Sequence, residues 1–432
     1  MPKVVVVGGG WAGTAAAVAA KKAGAREVIL FERTDMLLGT GLVGGIMRNN
    51  GRWTATEEAI AMGGGDLFKI ADRVSRHKNI DFPGHKHASL YDVALIEPAI
   101  KRYLIDMGID VRINNRVTDI KMKDQRVIAV KTSEHNYEEA DVFVDCTGSA
   151  GPMNNCIEYG NGCVMCIYRC PTFGPRVSIV EKAGIKEIIG KKGDGTIGAM
   201  SGSCKLHKES IAEDIVKELN EKGVVVVPIP RDLIDEGKLG IKACQQYALK
   251  EYAENIILLD TGHAKLMVPF MPLDKLRKVP GFENARYEDP YAGGIGNSMR
   301  YMGMAPRDNY LKVKGLDNVF CAGEKAGLLV GHTEACITGT LAGHNAVRLA
   351  LGKELLEIPD TLAIGDAIAY VNTQMQDEVG RTRKYTFSGS VYFERMKEKN
   401  LYTTDLDEIK KRVEDAGLTN VFANPVTAAV VD

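Results

Sequence analysis

Four thiols crowd into one short stretch: Cys156, Cys163, Cys166 and Cys170, spaced C-x6-C-x2-C-x3-C-P. Soft sulfur ligands gathered on a glycine-containing loop suit an iron–sulfur cluster, whose irons require closely placed thiolates. The closing C-x2-C-x3-C-P matches the end of the bacterial ferredoxin run, while Cys156 stands apart from it. Zinc accepts the same ligands, usually as two C-x2-C pairs, and only Cys163 and Cys166 form one. That pair could instead form a redox disulfide, and four unrelated buried thiols is the remaining alternative. A [4Fe–4S] cluster on these four residues is the leading expectation, with Cys204 and Cys244 in reserve. Cys146, Cys321 and Cys336 fall in or beside apolar elements and are expected to pack.

A second constellation lies at the start of the chain. Gly8, Gly10 and Gly13 stand in G-x-G-x-x-G spacing and Glu32 follows nineteen residues after the last of them. The first glycine permits a tight turn, the second lets backbone approach a pyrophosphate, and the third lets a helix pack closely on a strand. Phosphates would rest on the amides and positive dipole of the helix start, and Glu32 would accept hydrogen bonds from a ribose. Gly193, Gly195 and Gly198 repeat the spacing, but two lysines precede them and no apolar strand leads in, so a loop is expected there. No second nucleotide-binding unit is evident.

Isolated polar residues carry less. His85 and His87, in PGHKHAS, read as a solvated loop rather than a proton donor. His263 and His332 sit in glycine-containing loops. Arg300, Tyr301 and Arg307 could hold an anionic substrate or be surface charge.

These groups must be held by elements that the pattern also predicts. Four consecutive valines mark a strand buried on both faces. Thr14 to Ala23 is an alanine-rich helix closed by Gly24, and Val28 to Phe31 is the next parallel strand. A glycine-rich loop follows to Gly51. Residues 64–82 read as a helix and connector, and Tyr91 to Met107 as a helix stopped by Gly108. DVRINNRV, TDIKMKD and RVIAVKTS read as a small β-meander. Asp141 to Asp145 is a buried strand running into Cys146-Thr147-Gly148. Further on, Lys208–Lys222 reads as a helix and 224–230 as a strand. Asn318 to Ala322 is a strand entering Gly323-Glu324, with a small-residue helix from about Glu334. The tail from Leu362 is helical, with Thr404 and Asp407 as a capping pair before IKKRVEDAG.

At 432 residues, two or three domains are expected. Hydrophobic content of 45% and charged content of 26% are ordinary for a globular enzyme. A net charge of −1 gives no global attraction to nucleic acid or anionic membranes, and no apolar run is long enough to span a bilayer. Met1 leads directly into the first strand, leaving no room for a signal peptide, so a cytoplasmic, membrane-independent protein is expected. In that reducing compartment nine cysteines are not expected to be structural disulfides.

The stretches VVVVGGGWAGTAAA, GTGLVGGI, PGFENARYED and GLDNVFCAGEKAGLLVGHTEACITGTLAGHNAVRLALGKE together resemble an FAD-dependent oxidoreductase of the glutathione-reductase type. More narrowly the chain resembles the glucose-inhibited division protein A family and the related folate-dependent tRNA uridine methyltransferases. RTRKYTFSGSVYFERMKEKN is similar to the tail of the former. The resemblance implies an α/β fold: a three-layer Rossmann-like FAD-binding domain, with parallel sheet and β-meander, from residues 1–150 and 306–360. An inserted α+β substrate domain would occupy 151–305 and a helical C-terminal region 361–432. It implies FAD contacts at Gly8, Gly10, Trp11, Ala12, Gly13, Glu32, Arg33, Gly39, Thr40, Val117, Thr147, Gly148, Gly323 and Glu324. The usual acid after the last strand is Asp, and here it is Glu324. His332 falls where that family approaches the flavin and is the candidate catalytic residue. RNA-modifying members carry a cysteine in the loop that here spans Asp35 to Gly51, and this loop has none.

The sequence as a whole points to an FAD oxidoreductase with an accessory iron–sulfur cluster. It would pass electrons between a carrier, ferredoxin-like or NAD(P)H, and a small organic substrate. RNA is not an expected partner, and a homo-oligomer is left open. The alternatives are a folate- and FAD-dependent tRNA-modifying enzyme and a non-catalytic electron-transfer or zinc-binding subunit.

Overall fold

In the computed structural model the described residues are 1–149, 173–191, 195–197, 199–200, 204–239, 245–267, 271–288, 299–300 and 302–426. Five parallel strands form the central sheet: β1 (Lys3–Val7), β2 (Glu27–Phe31), β3 (Asp110–Arg112), β4 (Val142–Asp145) and β5 (Val319–Cys321), in the order β5-β4-β1-β2-β3. Val6 sits between Val144 and Leu30, and Val4, Val5 and Val6 are wholly buried, as four consecutive valines require. The principal helices are α1 (Trp11–Lys22), α2 (Gly51–Ala61) and α3 (His332–Ala350).

Helices α1 and α3 cross in backbone contact. A Cβ on Gly339 would overlap the Ala12 carbonyl, and one on Gly343 would overlap the Ala16 carbonyl. Two glycines four residues apart therefore present a smooth face to the alanines of α1. The close approach explains why α3 is built of small residues although it is mostly buried.

Several elements differ from the sequence pattern for identifiable reasons. Asp66–Arg73 is helical, but Ser75–Phe82 is a strand hairpinned with His85–Tyr91. Half of its residues are exposed and only Phe82 is buried, so no apolar alternation marks it. The helix expected from Tyr91 begins only at Ile96, because the Asp92 carboxylate accepts the Ala94 and Leu95 amides and turns the chain there. Asp110–Arg112 joins the parallel sheet, leaving Val117–Lys123, Arg126–Thr132 and Tyr137–Glu139 as the antiparallel meander. In the tail, Asp405 rather than Thr404 caps the last helix, accepting the Asp407 and Glu408 amides.

A four-stranded antiparallel sheet runs Cys204–Leu206, Ala264–Leu266, Asn255–Asp260, Val224–Pro228. Alternation along Asn255–Asp260 sends Ile256 and Leu258 into one apolar core with Leu219 and Phe282. Ile257 and Leu259 go to the opposite face, against Ile46 and Leu90 of the hairpin sheet. Ala264 and Leu266 join the first face, so Lys265, paired with Leu259, and Met267 point the other way.

The tail comprises α4 (Ala363–Gln374), α5 (Ser390–Glu398) and α6 (Leu406–Asp415). Glu58 of α2 is fully buried and accepts the Ala363 and Ile364 amides at 2.8 and 3.0 Å, capping α4 from another helix. Burial outweighs those hydrogen bonds and pushes the Glu58 carboxyl up to about 7. The folded state then binds more protons than the unfolded chain between pH 4.5 and about 7, so this group's contribution to stability is lost as pH rises through that window. Glu58→Gln, which keeps one of the two acceptor oxygens and removes the charge, is expected to compare better with the wild type at pH 8 than at pH 5. Thermal melts at the two values check this.

Candidate functional site

At the carboxyl ends of β1, β2 and β4 a long cleft opens. The turn after β1 forms its floor. Gly8 has φ +103°, and a side chain there would overlap the Cys146 carbonyl. A Cβ on Gly13 would overlap the Gly8 carbonyl, so this glycine serves helix–strand contact and does not line the cleft. Gly10 is different: its backbone is extended, with φ −68° and ψ −176°, and the space beyond its Cα is open. The missing side chain leaves room for a ligand at the start of α1, a site suited to an anion.

Glu32, at the end of β2, is buried. Oε2 accepts the Gly9 amide at 2.8 Å, and Oε1 accepts both the Thr34 amide and its hydroxyl at 2.8 and 2.9 Å. A carboxylate offers about four acceptor positions, so one remains on Oε2 for a hydroxyl in the cleft. Arg33 donates to the Gly174 carbonyl and Arg116 to the Pro175 carbonyl at 3.3 Å, drawing residues 173–177 along this end.

At the opposite end stand Val43, Gly44, Ile46, Lys265, Met267, Gly331 and His332. His332 is the first residue of α3. Its imidazole fits against Gly44, where a Cβ would overlap it, and Nδ1 lies 3.3 Å from the Tyr91 hydroxyl. Trp11 packs beside both rings, with centroids 5.8 Å from Tyr91 and 6.0 Å from His332. Glu334, within the first turn, is fully buried. It accepts from Arg52 Nε at 3.1 Å, the Thr386 hydroxyl at 2.6 Å and the Phe387 amide at 3.0 Å. This fixes the start of α3 to α2 and to the tail.

The cleft thus gathers Gly8, Gly10, Trp11, Ala12, Glu32, Arg33, Gly39, Thr40, Val117, Thr147, Gly148, Gly323, Glu324 and His332. Ser149 donates to Glu324 Oε2 at 2.8 Å. Pattern reasoning missed Arg52, Arg116, Arg176, Gln246, Tyr247, Lys265 and Met267, which also line the cleft. Glycine spacing signals a phosphate turn, whereas these residues arrive from distant elements with no local signature.

Other candidates fall elsewhere. His85 is buried on a strand, not in a solvated loop: Nδ1 lies 2.9 Å from Asn49 Nδ2 and Nε2 lies 3.1 Å from the Gln246 carbonyl. Burial pushes it down to about 3, and a neutral ring donating from Nε2 satisfies both partners. Arg307 is buried and does not line the cleft. It donates to the Ala326 and Ile368 carbonyls, both at 2.9 Å, bracing the Gly323–Gly327 loop on α4. Cys146, Cys321 and Cys336 are buried, and burial pushes their thiols up. Cys156, Cys163, Cys166 and Cys170 lie outside the described residues, as do Cys244 and Tyr301. No group of metal-ligating side chains occurs among the described residues, and none of their helices is long and apolar enough to cross a membrane.

The family model for glucose inhibited division protein A matches residues 3–257 and 261–354. A methylenetetrahydrofolate–tRNA-(uracil-5-)-methyltransferase TrmFO of Caldicellulosiruptor bescii is 30% identical over 207 residues, 40% of this chain and 46% of that protein. The TrmFO of Fervidobacterium nodosum is 33% identical over 101 residues, 23% of this chain and 22% of that protein. The chain therefore aligns with less than half the length of these relatives. A crystal structure of Aquifex aeolicus GidA has a TM-score of 0.64 at 18% identity, covering 96% of this chain and 74% of that one, and supports the fold. These findings overturn two expectations. The relatives are named as tRNA methyltransferases, not electron-transfer enzymes with iron–sulfur clusters, and the exclusion of RNA as a partner falls with that reading.

Proposed function

The chain belongs to the glucose inhibited division protein A family, and from that premise we propose an FAD-dependent enzyme that modifies a tRNA base with a folate-borne one-carbon unit. The observation that carries the reading is the family match across both segments that build the cleft. The activity for which the relatives are named supports the choice of folate and tRNA as substrates.

The cleft suits FAD by its own geometry. Open space at Gly10 beside the start of α1 would receive the pyrophosphate, and the remaining acceptor of Glu32 a ribose hydroxyl. Gly323 and Glu324 would lie along the middle. Val43, Gly44, Lys265, Met267 and His332 would surround the flavin. Bound FAD supplies the acceptance and return of a hydride. The chain's own residues orient it between two helix starts and place the His332 imidazole at the flavin end, where it can hold or move a proton. We assign the cofactor domain to residues 1–150 and 306–360, and the face opposing the flavin to the insertion between them.

The test is direct. Flavin-loaded protein is incubated with unmodified tRNA, methylenetetrahydrofolate and reduced nicotinamide, and the digested tRNA is examined by mass spectrometry. A uridine gaining one carbon, dependent on folate and flavin, is expected. Flavin-loaded protein that leaves every nucleoside unchanged overturns the proposal.

A further inference from the structure

Lys265 is 3% exposed, an unusual state for a lysine, and it lines the cleft. Strand alternation puts it there: Ala264 and Leu266 enter the apolar core on one face and Lys265 takes the other. Nζ donates to the Val43 carbonyl at 2.7 Å, joining the four-stranded sheet to the helical turn Gly41–Gly44. That turn also packs on His332 at the start of α3. A buried ammonium and a helix N-terminus therefore flank the end of the cleft opposite Gly10 and Glu32. Arg52, another cation lining the cleft, is paired with buried Glu334.

A site with this polarity favours a ligand whose negative charge appears there. Flavin has that property: taking a hydride, two electrons and one proton, from a donor such as reduced nicotinamide converts a neutral ring into an anion. In a site with little water a cation acts on that charge more strongly than it would in solution. We propose that Lys265 sets the redox poise of the bound flavin, its ammonium stabilising the reduced, anionic ring relative to the oxidised one. The inference rests on FAD occupying the cleft, and it makes Lys265 a positioning and charge-stabilising residue that no family match assigns.

The experiment compares flavin midpoint potentials in wild type, Lys265→Gln, Lys265→Met and Lys265→Arg. Gln removes the charge and keeps an N–H donor on a side chain one bond shorter, Met removes both charge and donor, and Arg keeps the charge. Reduction of bound FAD is expected to become about tenfold less favourable in Gln and Met, about 30 mV for a two-electron couple, with Arg near wild type. The neutral variants should also hold the reduced flavin in its protonated form to higher pH, visible in its absorption spectrum. Wild-type potentials in Gln and Met, with flavin bound, overturn the inference and leave the cofactor assignment intact. A wild-type protein that binds no FAD overturns both.

Discussion

Gly10→Val folds as the wild type does and carries no flavin. The backbone at Gly10 is one that any residue adopts, and a Cβ there meets nothing within 4 Å. The added side chain therefore costs the protein little and fills the space where a pyrophosphate would rest. Gly13→Val has the opposite character. Its side chain would overlap the Gly8 carbonyl, a backbone atom that can move only by parting α1 from β1. Overpacking of this kind costs about 1–3 kcal/mol where neighbours can adjust, and the backbone contact here puts the cost at or above that range. Flavin absorbance per protein and a thermal melt separate the two. Gly10→Val with full flavin would show that the cofactor does not approach this turn, and a Gly13→Val protein as stable as the wild type would refute the packing argument.

The second large effect lies between the cleft and the tail. Arg52→Met leaves Glu334, with no exposed surface, without its cation. Removing one partner of a buried pair costs about 3–5 kcal/mol, because the remaining charge stays buried. The double variant Arg52→Met/Glu334→Gln is expected to recover most of that loss, since Gln still accepts from Thr386 and Phe387 and brings no charge. Denaturant titrations of the two single variants and the double measure the coupling. A near-additive result would mean that the ion pair does not hold the start of α3.

The legible parts of this molecule were those whose signal is local. Gly8, Gly10, Gly13 and Glu32 lie on one strand–turn–helix–strand unit, and its four valines announce a strand covered on both faces. Arg52 and Glu334 are 282 residues apart in sequence, and nothing near either names the other. Lys265 sits in a short alternating run that would ordinarily send a lysine to solvent, and only the layer of sheet above the cleft reverses that. His85 looked solvated because PGHKHAS is polar, yet the hairpin turns it under Tyr247 and Phe82. The cysteine spacing pointed to electron transfer, but spacing alone cannot separate a cluster from thiols gathered for other reasons.

The glycine crossing of α1 and α3 has a consequence for ligand length. Each helix starts at one end of the cleft, α1 at Gly10 and α3 at His332, and backbone contact at Gly339 and Gly343 locks their separation. Two anion-attracting termini held at a fixed spacing discriminate by span: a ligand must present its phosphates to one while its far group reaches the other. A flavin mononucleotide carries a phosphate and a ring and so can meet both termini, whereas the dinucleotide also brings an adenosine ribose to Glu32 beyond the first of them. Widening the crossing with a side chain would loosen that gauge before it disturbed any residue in the cleft.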